Sequence, residues 1–302
     1  MRYLCRLRQQ GFAPKENSPM IDEALQQQLR EQYNPEGSAR WEVQQRLLET
    51  LVAFDEVCRT EGLTYFLDYG TLLGAFRHGG FIPWDDDVDV SMPTADFKKF
   101  QQVAPKRLDD RFFLQTKKSD KAAHMGHGLM KVRRNGTLSI NHASDFHVTF
   151  HRGISIDIFE SVPTPAVRRP FFHWMNRRIG KSFGFFAYPK PISIGNIVRF
   201  FWFPVEYVLM KGIWRVACAM RPKDREAGTM ERNDTKYPTL TTDLYPTGEL
   251  TFEGHTFSVP HNVEARLTSI YGKNYMTLPP EDKRKMHAVF MCPDTSREYT
   301  IL

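Results

Sequence analysis

The sequence predicts a mixed α/β chain of the α+β type, in which helices flank a mixed sheet and a helical, aromatic-rich insertion interrupts it. Three observations carry this. Strand-like and helix-like segments alternate along the chain. A glycine-bearing turn, Gly70-Thr71, is followed closely by an acid-studded segment, Asp85–Met92, that reads as a strand. The Pro- and aromatic-rich stretch from Pro163 to Met220 reads as mostly helical.

The elements follow in order. Residues 1–40 form a polar lead-in, with a Gln-rich helical patch at Ile21–Gln32 closed by Asn34-Pro35-Glu36-Gly37. From Trp41 to Arg59, Leu47, Leu51, Phe54 and Cys58 recur at helical spacing, and Gly62 stands just past the end. Leu63–Leu67 reads as a strand and Leu72–Phe76 as a short helix started by the Gly70-Thr71 turn. Gly79-Gly80 and Pro83 break that helix before the acidic strand. A helix from Thr94, its expected N-cap, to about Val103 comes next. Phe112–Gln115, Met130–Arg133, Leu138–Asn141 and Gly153–Phe159 are strand candidates, and Val263–Tyr271 is a helix. The expected organisation is a lead-in at 1–40, a catalytic core at 41–162, the insertion at 163–220 and a completing segment at 221–302.

Composition narrows the class. The 302 residues have 41% hydrophobic and 25% charged content, ordinary values for a globular chain. A net charge of +6 coexists with a concentrated acidic run, so the rest of the surface is basic and favours an anionic partner. No basic motif with interleaved aromatics suggests a nucleic-acid partner. Cys5, Cys58, Cys218 and Cys292 are dispersed, which argues against a disulfide scaffold, a zinc knuckle or a redox pair. Met1–Arg8 lacks the apolar core of a signal peptide, so a cytoplasmic location is expected, with peripheral contact at the inner membrane face as an extension. Within the insertion, Ile194–Met220 is strongly apolar but interrupted by Arg199, Pro204, Glu206, Lys211 and Arg215. Two readings stay open there: a buried pair of helices broken at Pro204, or a segment lying in the interface of an anionic membrane.

The chemistry gathers at Asp85, Asp86, Asp87 and Asp89. Such a cluster requires a counter-charge, commonly a bound cation. On a strand, Asp85, Asp87 and Asp89 share one face, with neighbouring same-face positions ~6.5–7 Å apart, and Asp86 falls on the other. A metal can bridge two of these three carboxylates, and Asp157, on the polar face of the Gly153–Phe159 strand, is placed to supply a third ligand. Hard carboxylate oxygens select Mg²⁺ or Mn²⁺ over zinc. Gly70 and Thr71 at a helix start offer backbone N–H groups to phosphate oxygens. Arg77, His78, Lys131 and Arg133 are candidate phosphate partners, against the plainer reading that they form structural ion pairs. His124, His127, His142, His147 and His151 lack the cysteines or clear helix of a zinc site.

A Gly-Thr turn, a short helix and then Asp-x-Asp on a strand is the pattern of the nucleotidyltransferase fold. Gly70–Gly74, Arg77-His78 and Gly80–Asp89 together resemble the signature of the LicD family, which includes bacterial phosphocholine transferases and fukutin-related proteins. Lys131–Thr137, Gly153–Phe159, Phe252-Glu253-Gly254, Val259-Pro260 and Tyr271–Pro280 extend the resemblance from about Trp41 to His287. It implies transfer of phosphocholine, phosphoribitol or a similar group from a CDP-linked alcohol donor to a sugar hydroxyl of a glycan. Asp87, Asp89 and Asp157 would hold the metal, and Asp85 or one of those ligands would take the acceptor proton. The same site would also serve true nucleotidyl transfer from a nucleoside triphosphate. A non-catalytic subunit binding a membrane or partner through the insertion is the third reading, and the intact acidic run argues against it.

Overall fold

The computed structural model describes residues 21–123, 125, 128–141, 149–164, 169–186, 191–220, 225–227 and 238–297. Two helices lead, α1 (Glu23–Tyr33) and α2 (Ala39–Glu61). Helix α2 starts where Ser38 accepts the Trp41 N–H and ends at Gly62, whose φ of 63° is the left-handed conformation glycine adopts without strain. Strand β1 (Phe66–Leu67), helix α3 (Tyr69–His78), strand β2 (Asp89–Pro93) and helix α4 (Thr94–Arg107) follow. Then come β3 (Phe112–Gln115), β4 (Leu129–Arg134), β5 (Leu138–Ile140) and β6 (Ser155–Pro163).

The central sheet runs β1-β2-β6-β4-β3. The β2–β6 pair is parallel and the other neighbours along that path are antiparallel, so the sheet is mixed. Its register sorts the side chains by face. Val90, Ile158 and Met130 lie abreast, all buried, in the core that also holds Leu47, Leu51 and Phe54 of α2 and Phe97 and Phe100 of α4. The next row, Asp89, Asp157 and Lys131, belongs to the opposite face.

Two further helices, α5 (Arg169–Phe185) and α6 (Ile194–Met220), form a hairpin. Beyond it lie β7 (Arg225–Ala227), β8 (Thr239–Leu240), α7 (Thr241–Leu244), β9 (Gly248–Phe252), β10 (His255–Val259), α8 (Val263–Tyr271) and β11 (Phe290–Cys292). The β9–β10 hairpin adds Phe252, Phe257 and Val259 to the main core, and β11 returns to pair with β5.

Several expectations need correction. The acidic run is not a strand from Asp85: a turn at Pro83-Trp84 precedes a segment without regular structure, and β2 begins only at Asp89, where β6 supplies a partner. Strand β1 is confined to Phe66–Leu67. Thr94 does not cap α4 with its side chain; the cap position is Pro93, and the Thr94 hydroxyl turns to the Ser161 carbonyl. Helix α6 runs unbroken through Pro204. The buried-pair reading of that segment also fails, because much of the outer surface of α6 is exposed. The histidines at 124, 127, 142 and 147 and the cysteine at 5 lie outside the described residues, as does the Cys218 side chain.

Candidate active site

The cleft is built where α3 meets the start of β2. Asp68 caps α3 by accepting the Tyr69 N–H at 3.0 Å and the Ser91 hydroxyl at 2.7 Å. Arg266 of α8 clamps the same carboxylate with two bonds, 2.8 and 2.7 Å, in full burial. Its guanidinium carbon lies 5.5 Å from the centre of the Tyr69 ring. Tyr69 takes a φ of 46°, rare for a residue with a side chain. That strained turn presents Gly70 at the first turn of α3, where backbone N–H groups have no carbonyl within the helix to meet. A Cβ at position 70 would stand 3.0 Å from an Asp85 carboxylate oxygen, so glycine is what lets the carboxylate lie against the turn.

Asp85, Asp87 and Asp89 all line the resulting cleft of about 570 Å³. Asp86 turns away and accepts the His287 and Ala288 N–H groups at 2.9 and 2.8 Å. Burial opposes its charge, yet those hydrogen bonds and the His287 side chain hold its carboxyl below the ordinary value. Burial, and then the charge of Asp87, push Asp85 well above the usual carboxylate range. Burial does the same to Asp89, followed by the charges of Asp87 and Asp157. Two carboxylates that resist ionising, Asp85 buried and Asp89 partly so, are a donor set short of positive charge.

His287 supplies part of that charge. Its Nδ1 lies 3.3 Å from Asp87, 3.5 Å from Asp86 and 3.9 Å from Asp85. Hydrogen bonds to Asp86 and Asp87 push its pKa up to about 11. Ligand atoms of Asp85, Asp87 and His287 all fall within 4.8 Å of one another, a span one ion can bridge. Asp157 is the register partner of Asp89, but Lys131 already holds both of its oxygens, at 2.5 and 2.7 Å. Sequence reasoning therefore finds the three cleft aspartates and misses His287, which stands outside any recognisable spacing.

The remaining candidates separate. Arg77 lines the cleft, but one of its nitrogens donates to the Tyr275 carbonyl at 2.9 Å, and burial lowers its pKa to about 10. His78, the last residue of α3, is bonded to Arg77 and faces Gln26 of α1 at 2.6 Å. Thr71 is buried and its hydroxyl accepts the Asp89 N–H at 2.8 Å, so it sets the start of β2. Arg133 is buried against Gln115 and the Gly153 carbonyl, away from the cleft. His151 stacks on Phe113 and meets Asn135 at 2.8 Å, a packing role. The far wall comes from the C-terminal part: Tyr271, Asn274, Tyr275 and Thr277, with Lys283 and Lys285 on the rim. Both lysines are exposed, and neither forms a salt bridge among the described residues. The Tyr271–Pro280 motif signalled that wall in the sequence, whereas the lysines lay in an unremarkable charged stretch.

Residues 62–183, which include α3, β2 and β6, match the family model described as LicD/FKTN/FKRP, nucleotidyltransferase domain. Over those residues the chain is similar to LicD-family nucleotidyltransferase domains. The LicD resemblance extends beyond that span. Over 260 residues the chain is 26% identical to the lipopolysaccharide cholinephosphotransferase LicD of Haemophilus influenzae, covering 80% of this chain and 93% of that protein. Human ribitol 5-phosphate transferase FKRP is 40% identical over 65 residues, which is 20% of this chain and 13% of FKRP. Yeast mannosyltransferase regulator 4 is 27% identical over 140 residues, 44% of this chain and 11% of that protein.

Proposed function

We propose that this LicD-family transferase moves a phospho-alcohol, such as phosphocholine or phosphoribitol, from a CDP-linked donor to a sugar hydroxyl of a glycan. The observation that carries the proposal is the convergence of Asp85, Asp87 and Asp89 on a cleft that also meets the α3 N-terminus and two rim lysines. Its volume of about 570 Å³ suits a small-molecule donor. The names of two relatives support the group transferred, since one is a cholinephosphotransferase and the other a ribitol 5-phosphate transferase.

The donor set fits a divalent cation: hard carboxylate oxygens, buried and poorly compensated, favour Mg²⁺ or Mn²⁺. Asp87 and Asp89 are the residues proposed to hold it, with Asp85 and His287 beside Asp87 and the Asp157–Lys131 pair beside Asp89. What such an ion supplies is neutralisation of the donor diphosphate and stabilisation of charge at the transferred phosphorus. The chain's own residues orient the donor. The Gly70 turn offers N–H groups to phosphate oxygens, and the exposed Lys283 and Lys285 add positive charge at the rim. Arg77 fixes the Tyr275 segment that closes the far wall.

In the reaction, a bond forms between the acceptor oxygen and the phosphorus that carries the alcohol. The bond from that phosphorus to the bridging oxygen breaks, CMP leaves, and the acceptor proton passes to the enzyme or solvent. Incubation with Mg²⁺ and either CDP-choline, CDP-ribitol or CTP, together with a glycan acceptor, tests this. CMP release from a CDP-alcohol is expected. Pyrophosphate from CTP, with no CMP from either CDP-alcohol, would assign nucleotidyl transfer instead.

A further inference from the structure

We propose that the α5–α6 hairpin docks this protein onto the surface of an anionic lipid bilayer, with its apolar outer face buried at the boundary between headgroups and acyl chains. The proposal stands apart from the chemistry of the cleft.

The hairpin is built inside out. Its own small core holds Met175, Ile179 and Trp214, and none of its described side chains belongs to the main core. The charged side chain of Glu206 points inward, 4% exposed, where Arg178 and Ser182 satisfy it. Apart from Arg199 and Arg215, the large side chains turned outward on α6 are apolar: Ile197 and Phe201 along one line, Val205 and Val208 beside them, Trp202 and Leu209 beyond. Phe201 is 70% exposed and Val208 68%, and Ile192 in the connection between the helices is 95% exposed. An ordinary surface helix shows the reverse arrangement.

The width of the apolar surface decides what covers it. At ~100° per residue, the exposed apolar positions from Phe200 round to Ile213 span an arc of roughly 220°. Docking against one helix or one flat protein face covers a stripe of roughly 100°. An arc twice as wide requires a surrounding apolar medium. No described helix is long and apolar enough to cross a membrane, so the medium is met from one side.

Charge selects the kind of bilayer. Residues 169–220 contain eight Lys or Arg and one acid, Glu206, so this segment alone outweighs the chain's net +6. Arg177, Lys181, Arg199 and Arg215 are exposed along the hairpin, long enough to keep their charges among headgroups while the aromatics sink below.

The test is flotation of the full chain with vesicles of phosphatidylcholine alone or mixed with phosphatidylglycerol, combined with analytical ultracentrifugation in the absence of lipid. Flotation with the anionic vesicles at low salt is expected. Arg199→Gln with Arg215→Gln should weaken the partition roughly tenfold or more. Phe200→Ser with Phe201→Ser and Trp202→Ser should abolish it while the far-UV circular dichroism keeps its helical signal. The wild-type chain remaining unbound, or binding the two vesicle types equally, overturns the proposal. So does a lipid-free dimer that dissociates in the triple variant while vesicles capture neither protein, because a second copy would then cover the face. If the triple variant fails to fold, the arginine pair alone decides: undiminished flotation contradicts the proposal.

Discussion

At the residue scale, the cleft and the layer behind it are charged in opposite ways. Asp85 and Asp89 are carboxylates that burial holds towards their neutral form, and they gain from a cation. His78, one layer back, is an imidazole held neutral. Burial first, and then the charge of Arg77, lower its pKa to about 3. The unfolded chain takes up that proton near ~6.5 and the folded chain only near the lower value. The stabilisation is therefore complete above ~6.5 and is lost as pH falls towards the folded pKa. Between about pH 7.5 and about pH 5, His78 should cost the protein about 2 kcal/mol, and His78→Gln should remove that slope from urea unfolding curves. Parallel curves for the two proteins would show that His78 is not held neutral. The sequence shows such residues unevenly. Four aspartates in one short run announce themselves by mutual repulsion. His287 and Arg266 reach the site from some two hundred positions away, and neither stands in a pattern that a single sequence can reveal.

At the element scale, α3 is the part that organises the cleft, and it is held from outside. Its first turn depends on the Asp68–Arg266 clamp, and its middle lets the chain pass because Gly74 has no side chain. A Cβ at Gly74 would stand 2.5 Å from the Gly80 carbonyl oxygen. Replacing Arg266 by Met keeps the bulk and leaves Asp68 as an unpaired charge with no exposure. Breaking a buried pair from one side costs about 3–5 kcal/mol, so Arg266→Met should lower the urea-derived stability by that amount. A loss below about 1 kcal/mol would mean that the clamp is not what holds the turn. The elements themselves were mostly legible: α2, α8, β3 and the core face of β6 follow from periodicity. The acidic run reads as a strand in the sequence because its alternation with Val88 and Val90 mimics one. The partner strand reaches only as far as Asp89, and a missing partner leaves no trace in local sequence.

At the scale of the whole molecule, the sheet divides the protein into a packed side and a working side. Val90, Ile158 and Met130 anchor the first, while Asp89, Asp157 and Lys131 lie one register step away on the second. The C-terminal segment, which brings Tyr271, Lys283 and His287, then closes the cleft from the far wall. The hairpin illustrates what the sequence left undecided. Its aromatics and arginines suit either burial or an interface, and only the inward-facing Glu206 and outward-facing Phe201 separate the two. The central claim remains that the cleft is a divalent-cation site serving phosphoryl transfer. Asp89→Asn tests it most directly, because removing a partly buried, poorly compensated charge should leave the fold at least as stable without metal. The measurement is a titration with Mn²⁺ followed by electron paramagnetic resonance, on the wild-type chain and on this variant. The account predicts saturable binding by the wild type and a loss of at least about tenfold in affinity in Asp89→Asn, with an unchanged or raised Tm. Equal Mn²⁺ binding by the two proteins would contradict it.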